Sequence, residues 1–219
     1  MNLNAKKDFI SFLIDSNILV FGKFITKSGR NTPYFINTGN FKYGKQLNIL
    51  GKLYAKLITN SNVNYDAMFG PAYKGIPLVV NCCSHLYIEY NVNKPFFFNR
   101  KEEKDHGEGG TFIGYTPKDN EKIIIIEDVL TAGTAVKEVL PKIKNRYNII
   151  CNNLFVLVDR CELAKNKNIK ASVELEENYE VKVHSLINMK DIIEYIKNNE
   201  KYKKYINKIL EYAENYCIL

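Results

Sequence analysis

Apolar positions along the chain fall into short runs that alternate with stretches of helical spacing. Short runs bounded by turn residues predict strands over residues 20–25, 65–69, 94–99, 123–126, 149–158 and 181–186. Helical spacing predicts amphipathic helices over residues 6–14, 46–58, 78–87 and 136–143, and one or two more between 191 and 219. The consecutive isoleucines at 123–126 are typical of a strand buried on both faces of a parallel sheet. This alternation predicts an α/β fold.

Composition and charge narrow the classes of function. The 219 residues fit one domain with appendages, and the net charge is +7. Basic residues are dispersed, and the densest run, at 201–204, alternates with tyrosine along a predicted helix, so a solvated face is favoured over a nucleic-acid surface. Five cysteines without CxxC spacing predict free thiols in a reducing cytosol. With neither a signal peptide nor a transmembrane run evident, we expect a cytoplasmic protein without membrane contact.

The stretch after the isoleucine run has the composition of a phosphate site. Glu127 and Asp128 lie at the carboxyl end of the strand, where ligands bind in open α/β sheets. A loop of small and hydroxylated residues follows and opens a helix, so backbone N–H groups and the helix dipole can bind phosphate. It is neither a Walker loop nor a GxGxxG fingerprint. The alternative is an ordinary strand–turn–helix with a surface acidic pair.

Two further segments suit anions. The strand at 65–69 leads through Tyr73 and Lys74 into a helix, which places backbone amides and a cation at its carboxyl end. Residues 100–110 contain three glycines and few apolar side chains, which predicts a mobile loop. That loop is either a solvated connection or a lid over a pyrophosphate leaving group, because phosphate-seeking side chains concentrate in it: Arg100, Lys101, Lys104 and His106.

Two segments suit a planar carboxylate. Lys27 and Arg30 flank a Ser-Gly pair, and aromatic residues follow; the alternative is a plain hairpin turn. Arg160 follows the strand at 149–158, and its guanidinium can hold a carboxylate with two hydrogen bonds. His85 and His184 lie within apolar patterns and are expected to be structural.

Taken together, the segments resemble the type I phosphoribosyltransferases, and in particular their orotate phosphoribosyltransferase branch. They are KSGRNTPYFIN, GPAYKGIPL, RKEEKDHGEGG, IIEDVLTAGTA and VDR. The resemblance implies a five-stranded parallel sheet flanked by helices, with an N-terminal hood and a mobile catalytic loop. Within a single domain, it implies a hood and N-terminal helices at 1–62, a core that binds 5-phosphoribosyl 1-diphosphate (PRPP) at 63–188, and C-terminal helices at 189–219.

The resemblance also implies the reaction and the partners. The expected reaction is PRPP plus orotate to orotidine 5′-monophosphate and diphosphate, a pentosyltransferase step of pyrimidine (UMP) biosynthesis. Mg²⁺ is the expected cofactor, held mainly by PRPP and water with no direct protein ligand. The expected assembly is a homodimer in which the loop at 100–110 reaches the neighbouring site. A separate orotidylate decarboxylase is a possible further partner.

Site residues follow from the motif match. PRPP binding is implied for Lys27, Tyr73, Lys74, Arg100, Lys101, Lys104, His106, Glu127, Asp128, Val129, Leu130, Thr131, Ala132, Gly133, Thr134 and Ala135. Orotate binding is implied for Lys27, Phe35, Ile36, Thr131 and Arg160. Catalysis is implied for Lys104, His106, Lys74 and Asp128.

Two positions depart from the family pattern. Many relatives have aspartate at Glu127 and phenylalanine at Ile36, and we expect activity to survive both departures because neither removes a charge.

Three other functions compete with this interpretation. Arg160 and the cations at 27 and 30 argue against a phosphoribosyltransferase for purines or uracil, because a neutral base offers them no carboxylate. Lys104 and His106 argue against a PRPP-sensing regulator, which needs no catalytic lid. A nucleic-acid-binding module leaves both phosphate-suited loops unexplained.

Overall fold

The chain forms a six-stranded sheet flanked by helices, together with a separate two-stranded hairpin. The computed structural model describes residues 2–25, 30–102, 111–165 and 168–219. Its strands are β1 Leu19–Ile25, β2 Asn31–Ile36, β3 Ala67–Gly70, β4 Phe96–Asn99, β5 Phe112–Gly114, β6 Lys122–Leu130, β7 Ile150–Asp159 and β8 Lys182–Asn188. Its α-helices are α1 Leu3–Asp15, α2 Gly44–Ser61, α3 Gly75–Tyr90, α4 Thr134–Arg146, α5 Ala171–Tyr179, α6 Met189–Lys197 and α7 Ile206–Tyr216.

The large sheet has the strand order β5-β4-β3-β6-β7-β8. The predicted five parallel strands are confirmed, because β3 pairs in parallel with β4 and β6, β6 with β7, and β7 with β8. The sheet has one strand more than predicted, since β5 adds to the edge in antiparallel orientation.

The isoleucine run forms the centre of this sheet. Ile124 and Ile126 pack into the hydrophobic cluster on one face, and Ile123 and Ile125 pack into the cluster on the other. All four side chains are buried, because successive residues of a strand point to opposite faces and helices cover both of them. The prediction of a strand buried on both faces is confirmed.

The β1–β2 hairpin packs against the C-terminal helices. The Phe21 ring of β1 lies 5.3 Å from the Tyr205 ring, and the Tyr34 ring of β2 lies 5.9 Å from the Tyr212 ring of α7. Helix α1 is joined to α6 by an ion pair of 2.9 Å between Lys6 and Asp191. The start and the end of the chain therefore cover the same side of the sheet. The proposed division of the chain into 1–62, 63–188 and 189–219 stays a prediction.

Some elements differ from the sequence prediction. Strand β6 continues through the acidic pair to Leu130, because pairing with β7 persists as far as Asp159. Strands β2 and β5 and helix α5 were not predicted. The five cysteines are free thiols, as predicted. Among the residues that the structure describes, no helix is both long and apolar enough to cross a membrane.

Candidate active site

The acidic pair is buried and held by named partners at the end of β6. Glu127 and Asp128 are each 8% exposed. Asp128 forms an ion pair of 3.1 Å through Oδ2 with Lys74 Nζ, and the same oxygen accepts a hydrogen bond from the Thr38 hydroxyl. The Tyr54 hydroxyl donates to the backbone carbonyl of Glu127 over 2.6 Å. These contacts hold both carboxylates at the carboxyl edge of the sheet.

The environment also changes the proton affinity of Glu127. Burial, and then the negative charge of Asp128, raise the pKa of Glu127 to about 8. The Asp128 N–H opposes this shift by donating to Glu127 Oε1 over 3.0 Å. One of the two neighbouring carboxyl groups therefore retains a proton more strongly than an exposed glutamate does.

The loop after β6 has the geometry of a phosphate site. Gly133 caps α4 at a φ of 72°, a left-handed conformation that glycine adopts without strain. Thr131, Thr134 and Ala135 are exposed there, and the first N–H groups of α4 lack partners within the helix. The loop is braced from behind, because Lys137 Nζ donates to the Ala132 carbonyl over 2.9 Å. The same Lys137 ammonium group also contacts the Glu174 carboxylate of α5.

The two hydrophobic residues between the acidic pair and this loop face away from solvent. Leu130 is 2% exposed and packs in the core, while Val129 is partly buried against the other core cluster. For both residues, the backbone is therefore the part available to a ligand.

The β3–α3 loop comes within reach of the acidic pair. A Cβ atom at Gly75 would lie 2.7 Å from Pro71 and 2.9 Å from the backbone of Gly70, so only glycine allows this close approach. The Ala72–Tyr73 peptide bond is cis. The Tyr73 residue is 69% exposed and the Lys74 side chain 55% exposed.

Three predicted segments meet at a small cavity of about 70 Å³. Its lining includes Ala72 of the β3–α3 loop, Arg100 and Lys101 after β4, and Ala135 at the start of α4. The Asn99 side chain joins two of these segments by accepting a 2.8 Å hydrogen bond from the Ala72 N–H. The structure thus brings together the predicted diphosphate and phosphate segments.

Arg160 follows β7 at the same edge of the sheet. Its N–H donates to the Leu130 carbonyl over 3.1 Å, next to the phosphate loop. The residue is only 4% exposed, and its guanidinium lies 4.3 Å from the Tyr34 ring centre. Nε donates to Glu162 Oε1 over 2.7 Å. Burial acts to lower the pKa of Arg160, but Tyr34 and Glu162 raise it more, so the guanidinium stays charged.

The other residues predicted to bind the base differ in how far their side chains are exposed. Phe35 is 38% exposed, and its ring lies 5.6 Å from that of Phe24. Ile36 is buried in the core, because adjacent residues of β2 face opposite sides. Lys27, Lys104 and His106 lie outside the described residues. His85 is buried on α3 beside Glu89, and His184 stacks on Phe155, which agrees with structural roles.

A larger cavity, of about 560 Å³, lies between the hairpin and α7. Thr32 and Tyr212 line it, and both hydroxyls lie 3.3 Å from Arg160 Nη2. Its lining contains neither the acidic pair nor the phosphate loop. We therefore place the candidate site by the charged groups at the edge of the sheet rather than by cavity size.

Sequence reasoning missed several residues that hold the site. They are Thr38, Tyr54, Lys137, Glu162 and Tyr212. Two of them lie close in sequence to the predicted residue that they contact: Glu162 is two positions after Arg160, and Lys137 is five positions after Ala132. An acidic residue beside the VDR segment was the signal that could have found Glu162.

The donor groups fit a magnesium ion bound mainly through substrate and water. Asp128 Oδ1 accepts the Val129 N–H over 2.8 Å, and Oδ2 is engaged by Lys74 and Thr38. In the described part of the chain, no group of three or more His, Cys, Asp or Glu side chains could hold a metal ion. The pair can instead accept hydrogen bonds from metal-bound water, since Mg²⁺ usually keeps several waters.

Comparison with known proteins agrees with this geometry. A family model described as the phosphoribosyl transferase domain matches residues 42–187. This match and the site place the chain in the class of phosphoribosyl transferases.

Individual relatives narrow the class. The orotate phosphoribosyltransferase of Clostridium acetobutylicum is 46% identical over 203 residues, covering 92% of this chain and 88% of the relative. The solved orotate phosphoribosyltransferase of Francisella tularensis has a TM-score of 0.84 at 39% identity, covering 96% of this chain and all (100%) of that one. The chain belongs to the orotate phosphoribosyltransferase family. Leishmania donovani UMP synthase, with a TM-score of 0.73 at 19% identity over 94% of this chain and 42% of its own, supports the fold alone.

Proposed function

We propose that the protein transfers the 5-phosphoribosyl group from PRPP to orotate, giving orotidine 5′-monophosphate and diphosphate in pyrimidine biosynthesis. The observation that carries the proposal is the meeting of two opposite charges at one edge of the sheet. The buried acidic pair lies near the carboxyl end of β6, and Arg160 follows β7, with its N–H hydrogen-bonded to the Leu130 carbonyl. The phosphate loop follows β6 in the chain. A ligand that carries a ribose, a phosphate and a carboxylate offers one group to each of these three parts.

Different residues stabilise the two charges that develop during the displacement. Departure of diphosphate from the ribose leaves positive charge on the sugar and negative charge on the leaving group. We propose that Glu127 and Asp128 stabilise the positive charge on the sugar and also bind the ribose hydroxyls. Lys74, Arg100 and Lys101 stabilise the negative charge on the leaving diphosphate, since fixed donors aimed at developing charge are a large source of catalysis. Orotate attacks through a ring nitrogen, so no protein nucleophile is needed.

The phosphate loop and the base end position the reactants. Backbone N–H groups of the loop from Thr131 to Ala135 bind the 5′-phosphate. We assign the orotate ring to Phe35 and Thr131, with Lys27 and Arg160 on its anionic groups. The Ile36 side chain is buried in the core, so at this position only the backbone can take part. Holding both reactants in one geometry removes much of the entropic cost of a reaction between two molecules.

Further parts of the proposal concern residues and partners beyond the described chain. Lys104 and His106 are proposed to close over the diphosphate as part of the loop at 100–110, which would reach the neighbouring subunit of a homodimer. Mg²⁺ is proposed to neutralise diphosphate charge, with Glu127 and Asp128 contacting its water ligands. A cytoplasmic location and association with a separate orotidylate decarboxylase are proposed as well.

The test is the fall in orotate ultraviolet absorbance when purified protein, PRPP and Mg²⁺ are mixed. Uracil, adenine and hypoxanthine serve as parallel substrates, because each lacks the carboxylate. We expect PRPP-dependent loss with orotate alone. Turnover of a neutral base in preference to orotate would contradict the proposal, and PRPP binding without any turnover would favour a PRPP-sensing regulator.

A further inference from the structure

The Arg160 guanidinium belongs to a closed cluster of hydrogen bonds that the proposed reaction does not explain. Its Nε donates to Glu162 Oε1 over 2.7 Å, and its Nη2 lies 3.3 Å from the hydroxyls of Thr32 and Tyr212. The Tyr212 hydroxyl in turn donates to Glu162 Oε1 over 2.6 Å. Arg160, Glu162 and Tyr212 therefore form a triangle in which each group contacts the other two. The triangle fixes the plane of the guanidinium.

Helix α7 and the segment after it hold this triangle in place. The Leu163 N–H donates to the Tyr216 carbonyl over 2.8 Å, and the Ile218 N–H donates to the Cys161 carbonyl over 2.9 Å. Glu162 lies between these two bonds and forms an isolated β-bridge with Cys217. The carboxylate that orients Arg160 is thus positioned by the C-terminal part of the fold.

The cluster leaves one nitrogen of the Arg160 guanidinium for a ligand. Glu162 faces two guanidinium groups, Arg160 at 2.7 Å and Arg30 at 3.8 Å. Among the described residues, the hydrogen bonds of the Arg160 guanidinium use Nε and Nη2, so Nη1 is the nitrogen left for a ligand. A carboxylate can accept a charge-assisted hydrogen bond from this nitrogen.

We propose that Glu162 and Tyr212 are positioning residues that orient Arg160 toward the carboxylate of the base, so that helix α7 takes part in recognising orotate. This inference rests on the proposed function. An oriented guanidinium binds a carboxylate more strongly than a mobile one, because less side-chain freedom is lost on binding. The cluster should therefore act on the carboxylate and leave the contacts with the phosphate unchanged.

Two nucleotides isolate the carboxylate. Orotidine 5′-monophosphate and uridine 5′-monophosphate differ only by that group, so the ratio of their dissociation constants measures its recognition. We would measure both constants by calorimetry on the full chain. We expect the wild type to bind the orotidine nucleotide more tightly. Removal of the Tyr212 hydroxyl in Tyr212→Phe should lower this preference by about tenfold, the value of a hydrogen bond to a charged group.

A second variant and a matched control complete the test. Glu162→Gln keeps the shape of the side chain and removes its charge, and it should lower the preference by at least as much as Tyr212→Phe. Tyr205→Phe removes the hydroxyl of a half-buried tyrosine whose ring packs 5.3 Å from that of Phe21. No hydrogen bond between described residues joins Tyr205 to Arg160, Glu162 or Tyr212. It should leave the preference unchanged. Circular dichroism and thermal melting establish that each variant is folded.

The outcomes separate the two claims. A wild type without preference for the orotidine nucleotide would overturn the proposed function itself. If the wild type shows the preference and a folded Tyr212→Phe retains it in full, then Glu162 and Tyr212 serve stability alone and the inference is wrong. An equal loss in Tyr205→Phe would also overturn the inference, because the effect would then not depend on the cluster. If Glu162→Gln does not fold, Tyr212→Phe decides.

Discussion

The two ends of the site hold their buried charges in opposite ways. Asp128 pairs with Lys74, whose side chain is 55% exposed, whereas Arg160 pairs with Glu162, and both of these side chains are at most 5% exposed. An exposed partner can move away at little cost, but a buried partner cannot leave without stranding a charge. The end that we propose for the ribose is therefore suited to exchanging its counter-ion when diphosphate enters. The end that we propose for the base is fixed before substrate arrives.

We expect the largest loss in the free energy of unfolding from Arg160→Met, and this variant tests the difference between the two ends. Loss of the guanidinium leaves the Glu162 carboxylate buried, and removing one partner of a buried pair typically costs about 3–5 kcal/mol. Urea unfolding followed by circular dichroism would measure the free energy of unfolding. A loss below about 1 kcal/mol, the typical upper value for an exposed pair, would mean that the two ends do not differ.

Lys74→Met should show the opposite pattern. The Lys74–Asp128 pair is open to solvent on the lysine side, so the free energy of unfolding should change by less than about 1 kcal/mol. The kcat/KM for PRPP should fall by about a hundredfold, the usual effect of removing one charge-stabilising donor. Initial rates at saturating orotate would test this. Unchanged kcat/KM would remove Lys74 from the catalytic group.

A further expected effect is a pH dependence of stability from Glu127. Its folded pKa of about 8 exceeds the ordinary value of 4.5, so the folded state holds this proton more tightly than the unfolded state does. The resulting stabilisation is complete below pH 4.5 and is lost as pH rises through about 8.

Glu127→Gln isolates that contribution, because glutamine does not titrate. The free energy of unfolding of the wild type, minus that of Glu127→Gln, should decline with pH across this window by at most about 1.4 kcal/mol per pH unit. Urea unfolding at several pH values would give the difference. A difference that rises with pH would show that the folded environment lowers the pKa of Glu127.

Local patterns were enough to predict most of the fold. Four consecutive isoleucines identified the central strand, since only a strand covered on both faces buries all four. The patterns failed where elements are short or sparsely apolar. Strand β5 spans only Phe112–Gly114, and it exists because its backbone pairs with the edge of β4. Helix α5 buries only Ala171, Glu174 and Leu175, which is too few positions to define a periodic face.

The site residues also fall into a group that the local sequence predicted and a group that it did not. Loop composition located Glu127, Asp128, Gly133 and Arg160, because strand ends and glycine positions are local features of the chain. The residues that hold these groups from far along the chain, Thr38, Tyr54 and Tyr212, were not predictable, since their contacts span long separations. The Thr38 hydroxyl reaches Asp128 across 90 positions, and Tyr212 lies 52 positions from Arg160. Only folding brings such pairs together.

These separations also decide which contacts are available during synthesis. The named partners of the acidic pair, Thr38, Tyr54 and Lys74, all precede it along the chain. Arg160 lacks its partner Tyr212 until α7 has been added. A nascent chain that stops before α7 therefore contains all three partners of the acidic pair but not the Tyr212 hydroxyl that helps to fix Arg160.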